Sequence, residues 1–338
     1  MAAAVPEVSI VLPTHNRHAL LAQTLRTVLW QEGVDLEVVV VDDGSTDETS
    51  RVVRGIDDDR IRLLSNVVPV GVSGARNQGI SEARGEWIAL LDDDDLWAPE
   101  KLASQLRAAR STGRDWAYTG SVNITLDGRL IGGAPPLPPD VVAATLPSAN
   151  VIPGGCSGVV LRKDAIDGND VFDASYHHLA DWDLWIRLAR WGMPAWVPQP
   201  LVGYRVHAGN ASHDTDGMVA ELDTIEQRYG GHVDRVRFYR HVARVSRRAG
   251  RRRQALTYYA RAAALRDPAY LRHAFLPDVR EVLDELLQEL GRRSGRSLPT
   301  IGPRHAQDPF RDWKEQARPW IQRLFDTHVP EGPRSRLD

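Results

Sequence analysis

The sequence has a single cysteine in 338 residues, Cys156, so it can form no internal disulfide and suits a reducing compartment. It has no apolar run near the roughly 20 residues that cross a bilayer. That argues against a helical span and leaves room for contact with a membrane surface. Its start, Met1-Ala2-Ala3-Ala4, lacks the basic segment and longer apolar core of a signal peptide, so the expectation is a cytoplasmic protein, at most peripheral at a membrane. Charge of one sign is also scarce: the net charge is −3, and nothing in the balance points to nucleic acid as a partner. What is present is ordinary for a globular chain, with 42% hydrophobic and 26% charged residues. The length suits about two domains.

The densest local signal is an apolar stretch, Trp87 to Leu91, that runs straight into Asp92-Asp93-Asp94-Asp95. The apolar part reads as a buried strand. The acids then fall at its C-terminal end, where ligands bind in open α/β sheets. Adjacent carboxylates repel unless a cation screens them, and oxygen ligands of this kind suit Mg²⁺ or Mn²⁺. The plain alternative is a solvated acidic turn before a helix starting near Pro99.

Three more strand patterns precede it: Val8 to Leu12, Leu36 to Val41 and Ile61 to Leu64. Helical patterns lie between them at Leu20 to Leu29, at residues 47–55, and from Gly71 toward Gly85. This alternation predicts an α/β fold with a mostly parallel sheet and helices on both faces. Polar ends of three strands would meet at one sheet edge. Beyond residue 115 the pattern is less regular. Trp116 to Thr119 and Ser121 to Thr125 read as strands, with a turn at Asp127-Gly128. Gly132 to Pro139 reads as a loop, Ser157 to Leu161 as a strand, Ala180 to Ala189 as a helix, and Val197 to Val206 as extended chain. The catalytic unit is expected over 1–215.

Residues 216–338 read as a helical C-terminal region. Apolar positions at helical spacing from 234 to 265, interrupted by an arginine-rich break at Gly250, resemble one tetratricopeptide-like hairpin. The arginines around it suggest an anionic partner or a solvated helix end. Val279 to Leu290 reads as a further helix and Ser294 to Pro303 as a linker. Phe310 to Phe325 is a last helical stretch that Pro319 should break. One hairpin cannot bury its own apolar face, so the tail must pack on the catalytic unit, on a second copy as a homodimer, or on an acceptor carrier or membrane surface.

Taken in order, Val8 to Arg17, Val39 to Thr49, Gly71 to Gly79, Leu90 to Trp97, Asp181 to Leu188 and Tyr204 to His207 resemble a family 2 glycosyltransferase of the GT-A fold. The resemblance covers residues 6–215. It implies a nucleotide-sugar donor, UDP-linked by preference, a hydroxyl acceptor (glycan, lipid-linked or peptide), a divalent Mn²⁺ or Mg²⁺ ion, and inversion at the anomeric carbon. It places Pro13, Thr14, Asp42 and Asp43 in a nucleoside pocket and Arg76 at the pyrophosphate. It places Asp94 as chief metal ligand, Asp92 on the metal or ribose with Asp93 beside it, and His207 near the metal or diphosphate. Asp181 matches the base, although Ala180 stands where the family's pair has Glu. Asp183, two residues on, is the alternative base, and Trp182 and Trp185 are candidates to stack on sugar rings. Each position also has a structural reading: a turn and helix cap for Asp42-Asp43, a salt bridge for Arg76, a helix cap for Asp181, a surface or packing role for His207.

Two rival functions share some of these features. A nucleotidyltransferase would carry a Gly-rich basic loop after its first strand, and Pro13-Thr14-His15-Asn16-Arg17 has no glycine. A non-catalytic nucleotide-sugar-binding protein would draw on Ala180 but has no need of Asp92, Asp94 and Asp181 together.

Overall fold

The computed structural model describes residues 5–165, 171–207, 209–210, 214–248, 250–265, 282 and 308–326. Apart from residue 282, the expected helix at 279–290 and the linker at 294–303 lie outside the described residues.

Four strands form the expected parallel unit: β1 (Val8–Thr14), β2 (Leu36–Asp42), β3 (Ile61–Ser65) and β4 (Trp87–Leu90). Every residue of β1, β2 and β4 is buried, which is why these strands read as continuous apolar runs. They lie in the order β3-β2-β1-β4, with helices α1 (His18–Leu29), α2 (Thr49–Arg54) and α3 (Gly71–Glu82) as crossovers. The chain steps outward from β1 to β3, then returns to place β4 on β1's other side. That reversal opens a crevice between the C-terminal ends of β1 and β4. Helix α3 sits close on the sheet because Gly79 has no side chain; a Cβ there would lie 2.5 Å from Val11 Cγ1 and 3.2 Å from Val41 Cγ2.

The rest of the sheet is mixed. The added strands are β5 (Leu96–Trp97), β6 (Trp116–Ile124), β7 (Leu130–Ala134), β8 (Val159–Arg162) and β9 (Ala195–Arg205). The order continues β4-β8-β6-β9-β5, with β7 pairing β6; β4–β8, β8–β6 and β9–β5 are antiparallel and β6–β9 is parallel. Three local readings change. The two strands expected at 116–125 are one, because Gly120 continues the pairing to β9 across a register shift. Gly132 and Gly133, expected in a loop, belong to β7, an edge strand where glycines are tolerated. Ser157 falls in a 3₁₀ turn (Gly155–Gly158) before β8.

Two apolar layers flank the sheet. On one face Leu21, Leu25 and Val28 of α1 and Leu102 and Leu106 of α4 (Lys101–Thr112) meet Val8, Ile10, Val38 and Val40. On the other, Ile88, Trp116 and Tyr118 meet α5 (Pro139–Thr145), α6 (Ala180–Trp191), α7 (Thr215–Tyr229), α8 (Arg235–Arg248) and α9 (Arg252–Ala264) through Val142, Trp185, Leu222, Val242 and Tyr259. The boundary expected at 215 coincides with the start of α7, and the core runs on through it. The expected hairpin is α8–α9, turned at Gly250, whose φ is +75°. Its apolar face is covered within the chain: the ring of Phe238 lies 6.4 Å from Trp182. The last helices, α10 (Arg311–Glu315) and α11 (Arg318–Asp326), also dock on their own sheet. Pro319 sits at the start of α11, where its missing N–H costs nothing. Trp320 and Ile321 pack with Val122, Ile124 and Leu201, and the Trp313 indole donates to the Pro198 carbonyl at 2.7 Å. A homodimer is therefore not needed to bury this stripe.

Candidate active site

The four carboxylates after β4 have four different surroundings. Asp92 Oδ1 pairs with Arg76 Nη2 at 2.5 Å. Asp93 accepts from the Thr14 hydroxyl at 2.7 Å and from Arg17 Nη1 at 3.0 Å. Asp94 Oδ2 faces Arg17 Nη1 at 2.5 Å, His207 Nε2 at 3.1 Å and the Asn210 amide at 3.3 Å. Asp95 points inward and accepts the Arg205 backbone N–H at 3.2 Å. The repulsion expected in this run is thus met in part by arginines and a histidine of the chain itself. Burial, with Asp94 alongside, pushes the Asp93 carboxyl up to about 6 against the pull of Arg17. Burial acts the same way on Asp94, but the bond to His207 and the charge of Arg17 outweigh it and hold that carboxyl below its ordinary value. Asp95, wholly buried beside Asp94 and Asp92, is driven well above.

Arg205 holds this loop in place. It is fully buried at the end of β9, and its guanidinium donates to the Asp94 carbonyl, to Gln23 Oε1 at 2.6 Å, to the Leu20 carbonyl at 3.0 Å and to the Thr24 hydroxyl at 2.7 Å. It ties the acidic loop to α1. Its place beside His207 in the sequence was visible, but its burial was not. Arg17 and Asn210 are also additions: one ends the β1 loop, the other follows His207, and neither type stands out without the fold.

At the end of β2 the two acids separate. Asp43 lines the cavity and accepts from the Asn66 amide at 2.9 Å and the Val70 and Gly71 backbone at 2.8 Å each, fixing the entry to α3. Asp42, expected beside it, is not among the cavity-lining residues. Its carboxylate takes the Ser45 N–H at 3.0 Å and the Ser50 hydroxyl, which is the turn-and-cap role. The alternation of side chains along β2 sends the neighbours to opposite faces.

Asp181 lies in the first turn of α6, whose N-cap is Leu179, so it is not the helix cap. Its carboxylate accepts from the Trp182 N–H at 2.7 Å and the Asn150 amide at 3.3 Å. Burial raises its proton affinity, Asp92 adds to this, and Arg76, Trp182 and Asn150 oppose it; the balance is upward. Asp183 is wholly buried instead, held by Arg187 at 2.9 Å, Arg228 at 2.9 Å and the Tyr229 hydroxyl at 2.5 Å. It is an anchor for α7, out of reach of a ligand. Trp185 is a core residue, whereas Trp182 is packed in the same core and also lines the cavity.

One cavity of about 640 Å³ is lined by Pro13, Thr14, Asp43, Arg76, Asp92 to Asp94 and Asp181 among others; His207 is not in its lining and reaches it through Asp94. The lining therefore joins the ends of β1, β2 and β4 to the start of α6. Residues 9–164 match the family described as Glycosyl transferase family 2. Over 207 residues the chain is 30% identical to the UDP-Glc:alpha-D-GlcNAc-diphosphoundecaprenol beta-1,3-glucosyltransferase WfaP of Escherichia coli, a match covering 61% of this chain and 79% of that protein. The chain belongs to glycosyl transferase family 2. The transferase is also 42% identical over 125 residues to the succinoglycan biosynthesis protein ExoO of Rhizobium meliloti (strain 1021), but that match spans only 37% of this chain and 36% of the relative. Its fold resembles that of the mannosyltransferase PcManGT from Pyrobaculum calidifontis, solved with GDP-Man and Mn²⁺, at a TM-score of 0.51 and 18% identity over 96% of this chain and 88% of the other.

The acids of the transferase can be tested against a divalent ion. Among the described residues no group of three or more His, Cys, Asp or Glu converges as a ready metal cage. Asp94 and His207 nevertheless bring a carboxylate oxygen and an imidazole nitrogen within 3.1 Å of each other. That donor set fits an ion that completes its shell with diphosphate oxygens and water, provided Arg17, 2.5 Å from the same Asp94 oxygen, gives way to it. Asp92 is paired with Arg76.

Proposed function

We propose that this glycosyltransferase moves a hexose from a UDP-linked donor to a hydroxyl of a lipid-diphosphate-linked glycan, with inversion and with Asp181 as the base. The observation that carries the reading is the single cavity that holds Asp43, the acids Asp92 to Asp94 and Asp181 together. The donor and acceptor classes draw support from the E. coli relative, whose name specifies UDP-Glc and a diphosphoundecaprenol-linked GlcNAc.

In this reading the nucleoside lies against Pro13, Thr14 and Asp43, where a carboxylate accepts the N3–H of uracil or a ribose hydroxyl. Asp94 and His207 would hold the divalent ion, which when bound stabilises charge developing on the departing diphosphate. Arg76, already paired with Asp92, adds a fixed positive charge beside it. Asp181 takes the proton of the acceptor hydroxyl as that oxygen attacks the anomeric carbon. Its raised proton affinity makes it a stronger base. A cytoplasmic protein with these helices would meet its acceptor at the membrane surface; no helix among the described residues is long and apolar enough to cross one.

The test is turnover of UDP-glucose with a synthetic GlcNAc-diphospholipid and Mn²⁺, following UDP release and the anomeric configuration of the product by NMR. A β-linked product from the α-linked donor is expected. An α-linked product, or nucleotide transfer without glycosidic bond formation, would refute the mechanism.

A further inference from the structure

Helix α8 is strongly basic. From Arg235 to Arg253 the chain has no acidic residue. The buried side of α8 is apolar, with Val236, Val242 and Ala243 in the core. Arg237, His241 and Arg244 stand at i, i+4 and i+7, one face of the helix, and all three line the cavity that holds Asp181. Arg235, which pairs with Asp223 and Glu226, is not part of the lining.

On the strand side of the cavity the acids are interleaved with Arg17 and Arg76, which pair with Asp94 and Asp92. The cavity's acids are Asp43, Asp92, Asp93, Asp94 and Asp181, at the ends of β2, β4 and at α6. The contribution of α8 is basic and aromatic. The two regions adjoin at α6, where Trp182, next to the proposed base, stacks on Phe238 of α8 at a ring distance of 6.4 Å. Seven residues of helix rise about 10 Å. A basic strip of that length, in the same cavity as Asp181 but on a helix that supplies none of the residues assigned to the donor, suits a phosphorylated group that belongs to the acceptor and not to the donor. Arginine favours this use because its fork donates paired hydrogen bonds to phosphate oxygens.

We propose that Arg237, His241 and Arg244 form an acceptor subsite for a sugar-linked phosphate or diphosphate, placing it so that the attacking hydroxyl of the sugar reaches Asp181. The subsite rests on the lipid-linked acceptor reading above and adds its residues. It makes the enzyme selective for acceptors that still carry their phosphate.

The probes are a GlcNAc α-diphosphate ester of an undecyl alcohol and the octyl glycoside of GlcNAc, which lacks phosphate. Each is titrated into the full chain saturated with UDP and Mn²⁺, so that the donor site is closed. The wild type should bind the diphosphate ester more tightly than the glycoside, and R237Q/R244Q should weaken the ester by roughly 10- to 100-fold, the expected loss of two charge-assisted contacts. Its affinity for the octyl glycoside and for UDP should stay as in the wild type. R237K/R244K should restore part of the loss, which separates charge recognition from misfolding. Equal binding of the two probes by the wild type, or an unchanged ester affinity in R237Q/R244Q, overturns the subsite. So does a loss confined to phosphatidylglycerol vesicles, which would make the strip a membrane contact. Failure of UDP itself to bind would instead count against the donor reading and leave the ester titration to be run without it.

Discussion

Asp181 and Asp183 are two residues apart, and the structure assigns them opposite consequences when each is changed to Asn. Asp181 lines the cavity, and among the described residues its carboxylate accepts from the Asn150 side chain at 3.3 Å and from the Trp182 backbone N–H. The amide of Asn keeps the shape and can still accept the backbone bond, so stability should move by no more than about 1 kcal/mol. It cannot take a proton, so turnover should fall by about 10²–10⁴, or roughly 3–5 kcal/mol on the barrier. Asp183 is wholly buried between Arg187, Arg228 and Tyr229. Removing its charge leaves those donors facing a neutral amide, and breaking such a pair costs about 3–5 kcal/mol. The two guanidinium groups are 39% and 38% exposed, so water replaces part of the contact and the lower end applies. A melting temperature lower by roughly 5 °C or more is expected for Asp183→Asn. Calorimetry on both variants, with UDP release at saturating substrates, reads the two effects separately. An active Asp181→Asn beside an Asp183→Asn of unchanged melting temperature and no turnover would falsify the assignment.

Asp94→Ala should abolish transfer and weaken Mn²⁺-dependent UDP binding in calorimetric titration, and activity that persists in excess EDTA would count against a metal role. Because burial raises the affinity of Asp181 for its proton, and a base works only when ionised, kcat/KM should decline on acidification at a pH above the ordinary aspartate value of about 3.9; a limb absent from Asp181→Asn's residual rate would complete the case. Arg205→Ala should lower stability by about 3–5 kcal/mol, since it empties a buried position that ties the acidic loop to α1, and denaturant titration measures it. Trp320→Ala should lower stability by about 3 kcal/mol by opening the contact with Val122 and Leu201, with kcat little changed, because α11 lies away from the cavity residues.

The sequence alone determined the parallel half of the sheet. Strands buried on both faces are mostly apolar, so β1, β2 and β4 stand out against helices whose apolar residues recur every three or four positions. It also determined that polar chemistry sits at the strand ends, since four carboxylates can follow an apolar run only where the chain leaves the core. The helix α6 with Asp181 and the break at Gly250 follow from local patterns of the same kind. The tertiary structure decided what each acid does. Asp92 to Asp95 are equivalent as letters; Arg76, Arg17, His207 and Arg205, contributed from up to 113 residues away, give each a different partner. Asp42 was drawn into a turn while Asp43 reached the cavity, and Asp183 into a buried cluster while Asp181 did not, because a step of one residue on a strand or two on a helix changes the face presented. Where the tail packs was likewise a tertiary matter: an amphipathic stripe records that something must cover it, and only the docking of Trp313 and Trp320 on β9 shows that the cover is the chain's own sheet. Pattern reports local periodicity, whereas partnership depends on which distant segments the fold brings within a few ångströms.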